Sequence, residues 1–248
     1  MASSHPALLD VRVRAKHFGP RHVLDALQLQ LRAGEIVSLV GASGCGKSTL
    51  LRLSAGLDRD FRGTVRLDGR VLDEPVRDIG FIFQEPRLFP WCTVAENVSF
   101  DLGRGGRGHA RVAPLLAEVG LAGYEAALPK QLSGGQAQRV ALARGLFTQP
   151  RVLLLDEPFS AVDAFTRIKL QELLVDVARR HGITVLLVTH DIEEAVLLSD
   201  RVLVLEAQPG RLSEDIAVSL PRPRERNGAP LAALRAQVFD ALHAVQAL

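Results

Sequence analysis

The residues with most chemistry to offer are Gly41-Ala42-Ser43-Gly44-Cys45-Gly46-Lys47-Ser48, followed by Thr49. They fit G-x-x-x-x-G-K-[ST] between an apolar run and a helical pattern, the setting in which that spacing cradles phosphate. A polyphosphate needs many donors at short range. Glycines let the backbone curl until consecutive N–H groups point inward, and a helix N-terminus adds the positive end of its dipole. Lys47 has the length to reach the outer phosphates, and the Ser48 hydroxyl is a ligand for Mg2+. The bland alternative, a glycine-rich turn with an exposed lysine, leaves the flanking strand and helix unexplained.

Leu153-Leu154-Leu155-Asp156-Glu157-Pro158 places two acids at the carboxyl end of an apolar run. Ligand sites in parallel sheets lie at that edge. Asp156 is suited to hold Mg2+ through water. Glu157 is suited to orient or deprotonate a water that attacks the outermost phosphate. Alone, the pair reads equally well as a solvated acidic turn. Beside a phosphate loop the catalytic reading is favoured.

A third group is Leu132-Ser133-Gly134-Gly135-Gln136, ahead of a helical stretch rich in alanine and arginine. Ser133 has the form of an N-cap, and the glycines expose the first helical amides, which makes a second anion site. One chain needs only one site for the outer phosphate of one nucleotide. The economical reading is a head-to-tail homodimer with two ATP molecules buried at its interface. A flexible Ser/Gly linker explains the glycines but not their coincidence with the other two groups.

With these motifs in this order, the chain resembles the ATP-binding subunits of ABC transporters over almost its whole length. The resemblance implies ATP and Mg2+ as cofactors. It implies that Phe18 stacks on adenine and that Gln84 senses the metal and the attacking water. In Ser160-Ala161-Val162-Asp163, it implies that Asp163 couples the two sites across a dimer. It implies that His190 contacts the γ-phosphate. The implied catalytic set is Glu157, His190 and Gln84, and the metal set is Ser48, Gln84 and Asp156. The nucleotide-binding set is Phe18, Gly41 to Thr49, Ser133, Gly134, Gly135, Gln136 and Asp163. Two departures stand out: Ala137 follows the third motif where relatives carry a longer polar residue, and Gly145 interrupts a helix at a propensity cost of roughly 1 kcal/mol.

Gln84-Glu85-Pro86-Arg87-Leu88-Phe89-Pro90-Trp91, then Thr93 to Asn97, resembles importers of nitrate, taurine and aliphatic sulfonates. Pro221-Arg222-Pro223-Arg224 is similar to that group too, and within it the likeness is greatest to the sulfonate importers. Such a subunit never touches the solute, so taurine or nitrate/bicarbonate import remain alternatives. The resemblance implies two transmembrane permease subunits and, indirectly, a periplasmic solute-binding protein. It implies a peripheral location on the cytoplasmic face of the bacterial inner membrane. Leu88 and Trp91 are candidates for the groove that receives a membrane-subunit helix; ordinary packing of Trp91 is the alternative.

These residues need rigid elements behind them. Ile36–Val40, Val152–Leu155 and Thr184–Val188 read as strands buried on both faces, and Ile79–Phe83 as a fourth strand. Helices are expected at about Lys47–Ala55, Ala164–Arg180 and Ile192–Leu198. Strand alternating with helix implies a parallel sheet covered by helices. Leu27, Leu29 and Leu31 alternate with glutamines, and Val65 to Val71 turns at Asp68-Gly69, so a small antiparallel sheet is expected near the N-terminus. Residues 93–147 read as helical, opened by a capping box at Thr93 to Glu96. Gly103–Gly108 reads as a Gly/Arg loop and Ala110–Val119 as a helix. After strand Val202–Leu205, the Arg-rich connector reads as a solvated loop before a helix at Leu231–Ala247.

The expected fold is therefore a P-loop NTPase (RecA-like) α/β core with an N-terminal antiparallel β subdomain and an inserted α-helical subdomain. Residues 8–242 form one nucleotide-binding domain. Within it, 8–92 and 148–220 make the core and 93–147 the helical subdomain; 221–248 are the C-terminal connector and last helix.

Composition supports this reading by exclusion. The formal charge is only +2, too small a field to argue for nucleic acid or anionic lipid. Cys45 and Cys92 make no disulfide framework, so a reducing compartment fits. The start, Met1 to Pro6, is short and polar, unlike a signal peptide, and no apolar run can span a bilayer. Soluble ABC-type proteins of DNA repair carry a long coiled coil between the first and third motifs, and those of translation carry two cassettes; neither feature is present. No nucleic-acid partner is expected. An exporter is disfavoured by the Gln84–Trp91 stretch and by the lack of a fused membrane segment.

Overall fold

The computed structural model describes residues 7–246. The backbone forms two compact units, one from the segment up to Val76 together with the segment from Gly182 onward, the other from Arg77–His181. The expectations for Met1 to Pro6 and for Ala247 fall outside the described residues.

In the first segment, β1 (Leu9–Phe18) pairs antiparallel with β2 (Arg21–Leu31). Leu9, Val11 and Val13 are buried on one face of β1, as are Leu27, Leu29 and Leu31 on β2. β3 (Ile36–Gly41) runs straight into α1 (Lys47–Ser54) across the glycine loop. β4 (Arg62–Leu67) pairs with the other edge of β1, and β5 (Arg70–Val71) folds back on β4. The turn between them has Asp68 at φ 51° and Gly69 at φ 76°, both positive as a type I′ hairpin requires. The N-terminal antiparallel sheet is thus present, with one strand more than expected. β1 was not anticipated: its alternation ends at Lys16, which is 1% exposed and pairs with Asp58 at 2.9 Å.

In the second unit, β6 (Ile79–Ile82) is followed by α2 (Val94–Val98), α3 (Val112–Glu118) and α4 (Gly134–Phe147). β7 (Val152–Asp156), parallel to β6, and α5 (Ala164–His181) complete it. The Thr93–Glu96 capping box forms as expected. Residues Phe100–Gly108 are not an open loop but 3-10 turns broken at Gly103, where φ is 61°. Gly145 has a packing reason. A Cβ there would lie 3.2 Å from Ile82 Cγ1 and 3.4 Å from Leu153 Cδ1, so its absence lets α4 settle onto β6 and β7.

The third segment returns to the first unit with β8 (Thr184–Val188), α6 (Ile192–Leu198) and β9 (Arg201–Leu205). β10 (Leu212–Ala217) and α7 (Ala229–Gln246) follow. β3 lies between β8 and β9 and is parallel to both. β10 is an antiparallel edge strand on β9, an exception to the expected all-parallel core. β3, β8 and most of β9 are buried on both faces, which explains why they read as continuous apolar runs.

The connector is not a solvated loop. The Arg224 side chain is 3% exposed and Arg222 13% exposed. Both guanidiniums are spent on backbone carbonyls and on Asp200. Burial pushes Arg224 down to about 10, the nearby Arg222 charge adds to the drop and Asp200 opposes it.

Candidate nucleotide site

The phosphate loop sits where β3 ends and α1 begins. Gly46, the N-cap of α1, is at φ 99°, a conformation that strains any residue with a Cβ. A Cβ there would also fall 2.6 Å from Leu24 Cδ2. The Lys47 ammonium donates to the carbonyls of Gly41 at 2.8 Å and Ala42 at 2.9 Å, so the loop wraps its own lysine. Cys45 is fully buried and Lys47 nearly so, while Ser43 and Gly44 are exposed. Arg21 donates to Gly44 O at 3.4 Å.

The loop is supported from below by a residue that sequence reasoning missed. Gly210 lies against it: a Cβ there would come within 2.1 Å of Cys45 O. Its amide donates to Val23 O at 2.8 Å, and its carbonyl accepts from Asp25 N at 3.1 Å. Arg211 then pairs with Asp25, and its hydrogen bond holds that carboxyl below the usual carboxylate range. Nothing local in the sequence ties Gly210 to the loop.

His190 follows β8 in the same unit. Thr189, 3% exposed, donates its amide to Leu39 O at 3.2 Å. Asp191 N donates to Thr189 Oγ1 at 3.0 Å, and Asp191 Oδ1 accepts from Glu194 N at 3.1 Å, capping α6. His190 is therefore exposed on a backbone fixed on both sides. Phe18, at the end of β1, is 50% exposed, with Lys16 Nζ 4.4 Å from its ring centroid. The adjacent His17 is engaged elsewhere, stacked on His22 at 4.3 Å.

The second unit brings the remaining candidates together. Asp156 ends β7 and is 9% exposed. Glu157 follows at φ 45°, a left-handed conformation that is rare for glutamate and concentrates at functional sites. Its carbonyl accepts from Ser160 Oγ at 3.0 Å, and Ser160 Oγ accepts from Gln84 Nε2 at 3.3 Å. Gln84 and the acidic turn are thus tied through Ser160, a link the sequence did not announce.

Ser133 caps α4 in a reciprocal box: Gln136 N donates to Ser133 Oγ at 3.3 Å, and Ser133 N donates to Gln136 Oε1 at 2.9 Å. The first amides of a helix have no partner within it, so Gly134 and Gly135 present donors at an exposed end. A Cβ on Gly135 would fall 2.3 Å from Thr166 Cγ2, which places this motif beside the turn of Asp163. Asp163 accepts from Thr166 N at 3.0 Å, and hydrogen bonds from the Thr166 side chain and amide hold its carboxyl below the usual range.

Trp91 is 75% exposed, so it does not pack under the helical elements. Asn97, fully buried, fixes the segment before it: its amide donates to the carbonyls of Phe89, Cys92 and Thr93, and its oxygen accepts from Phe89 N.

Comparison with known proteins gives a consistent result. A family model described as ABC transporter matches residues 24–160. The chain is 62% identical to the aliphatic sulfonates import ATP-binding protein SsuB 1 of Xanthomonas axonopodis pv. citri, over 97% of both chains. It is 56% identical to SsuB 2 of Burkholderia lata, covering 99% of this chain and 90% of the relative. Among solved structures it resembles cbiO1 of Clostridium perfringens, part of the ABC transporter complex cbiONQ, at TM-score 0.76 and 28% identity. That match covers 86% of this chain and 90% of the other. It also resembles the ATP-binding cassette MJ0796 in a dimeric post-hydrolysis state bound to ADP and Pi. The TM-score there is 0.73 at 32% identity, over 86% of this chain and all of the other.

Proposed function

This chain belongs to the ABC transporter family, as an ATP-binding subunit, and from that premise we propose that it hydrolyses ATP to drive import of aliphatic sulfonates. The observation that carries the solute class is 62% identity to a sulfonate-import ATPase over 97% of both chains. The ATPase half rests on the glycine loop wrapped around Lys47.

In the proposed mechanism, Gly41 to Thr49 hold the β- and γ-phosphates through Lys47 and the loop amides, and Phe18 stacks on adenine. Ser48, Gln84 and Asp156 hold Mg2+. A hydroxyl, a carboxamide oxygen and a carboxylate are the hard oxygen donors this ion takes. When bound, the ion neutralises charge on the phosphate oxygens. Glu157 accepts the proton of a water that attacks the γ-phosphorus in line with the departing ADP oxygen. His190 contacts the γ-phosphate. Positioning and charge stabilisation supply the acceleration.

Ser133 to Gln136 and Asp163 complete the site of a second copy, in a head-to-tail dimer. Within residues 8–242, we assign 8–92 and 148–220 to the core and 93–147 to the helical subdomain; we assign 221–248 to the C-terminal connector and last helix. Closure on ATP and reopening after hydrolysis move two permease subunits, which receive solute from a periplasmic binding protein. Through those subunits the chain works at the inner membrane's cytoplasmic face; none of the described helices is long and apolar enough to cross a membrane. The exposed Trp91, with Leu88, contributes to the surface that docks the permease subunits.

A bacterium deleted for its own sulfonate-import ATPase tests the solute. Expression of this chain with its cognate permease is expected to restore growth on an alkanesulfonate as sole sulfur source. Restoration on taurine but not on an alkanesulfonate would assign a different solute.

A further inference from the structure

The Pro-Arg connector holds the helix that begins beside His190. The last carbonyls of any helix lack partners within it, and cations at that end complement its dipole. At α6 these carbonyls converge on one side chain. Arg224 Nη1 donates to Val196 O at 2.8 Å, Leu197 O at 3.1 Å and Ser199 O at 2.6 Å. Its Nε donates to Leu220 O at 3.2 Å and its Nη2 to Val218 O at 3.1 Å. Arg222 adds donors to Leu198 O and to Asp200 Oδ1.

Asp200 carries the connection onward to the phosphate-loop strand: its Oδ2 accepts from Ile36 N at 2.9 Å, and its own amide donates to Ile36 O. Ser199 Oγ also meets Ser38 Oγ of β3. Near the other end of α6, Glu193 faces Arg235 of α7 at 3.2 Å and Arg226 at 3.6 Å. Residues 222–235 therefore grip α6 at both ends, and one end is tied to β3. α6 spans only Ile192–Leu198, and Asp191, its N-cap, is the residue after His190. An axial shift of so short a rod is passed directly to that histidine.

We propose that Arg224, assisted by Arg222, is a positioning residue for His190, setting its place relative to the phosphate loop through α6. This rests on the assignment of His190 to the γ-phosphate.

The test is a double-mutant cycle of Arg224→Ala and His190→Ala in the full-length chain. It is read as kcat for ATP and as the ratio of ATP to ADP affinity, which requires no turnover. Arg224→Ala should lower kcat about 10-fold and raise KM for ATP, because ATP loses a γ-phosphate contact that ADP never makes. It should also reduce the preference for ATP over ADP. In the His190→Ala background it should change neither quantity further, because the residue it acts through is gone. Any loss of melting temperature should be equal in both backgrounds. Arg224→Lys keeps the charge but not the planar fork, so it should fold normally and lose part of the same preference.

If His190→Ala leaves both readouts at wild type, the γ-phosphate assignment is wrong and this proposal falls with it. If His190→Ala acts but Arg224→Ala and Arg224→Lys do not, or their effects multiply with it, the positioning role alone is overturned.

Discussion

Gly210 and Cys45 touch across the fold: the carbonyl of the phosphate-loop cysteine occupies the space a Cβ at position 210 would need. The loop is therefore shaped by the turn between β9 and β10 as well as by its own glycines. Gly210→Ala is expected to displace Cys45 and misalign the neighbouring amides. Overpacking of this kind costs about 1–3 kcal/mol, and nucleotide affinity should fall roughly 10-fold. Titration calorimetry with ATP checks this; wild-type affinity would show that the loop does not depend on the turn.

The Asp25–Arg211 pair braces the same turn and carries a pH signature. Asp25 has a folded pKa below its unfolded value of about 3.9. Its contribution is therefore present above about pH 4 and is lost as pH falls through the folded value. Asp25→Asn should melt lower than wild type at pH 7, and the gap should close under acid. A gap that stays constant from pH 7 to pH 3 would mean that the pair does not stabilise the turn.

Gly145 tests helix propensity against packing. Gly145→Ala gains roughly 1 kcal/mol of propensity in α4. Its methyl, however, enters space bounded by Ile82 and Leu153. The net expectation is a destabilisation of about 1 kcal/mol, recovered in part by Ile82→Val. Denaturant unfolding of the single and double variants decides the sign.

Trp91 is mostly exposed, so its loss should not disturb folding. Trp91→Ala is expected to melt within a few degrees of wild type yet fail to copurify with the permease subunits. Undiminished copurification would move the docking surface elsewhere.

Much of the fold was legible because its central strands are buried on both faces. Ile36, Val152 and Thr184 each open a run that admits almost no polar residue, and the phosphate loop and acidic turn lie at the ends of two such runs. β10 escaped because only Ile216 of that strand is buried, which leaves no period to read. The connector misled for a different reason. Arginines between prolines read as solvated, whereas the partners of Arg222 and Arg224 are carbonyls of α6 that no local pattern predicts. The tie between Ser160 and Gln84 and the place of Gly210 under the loop were invisible because each joins residues distant in sequence.

The proposed ATPase is driven by Glu157 and requires a second copy of the chain. Glu157→Gln removes the proton acceptor while keeping size and hydrogen bonding. This variant is expected to bind ATP with near-native affinity, hydrolyse it at least about 100-fold more slowly, and elute as a dimer when ATP and Mg2+ are present. Turnover at the native rate, with the protein remaining a monomer in ATP, would contradict this mechanism.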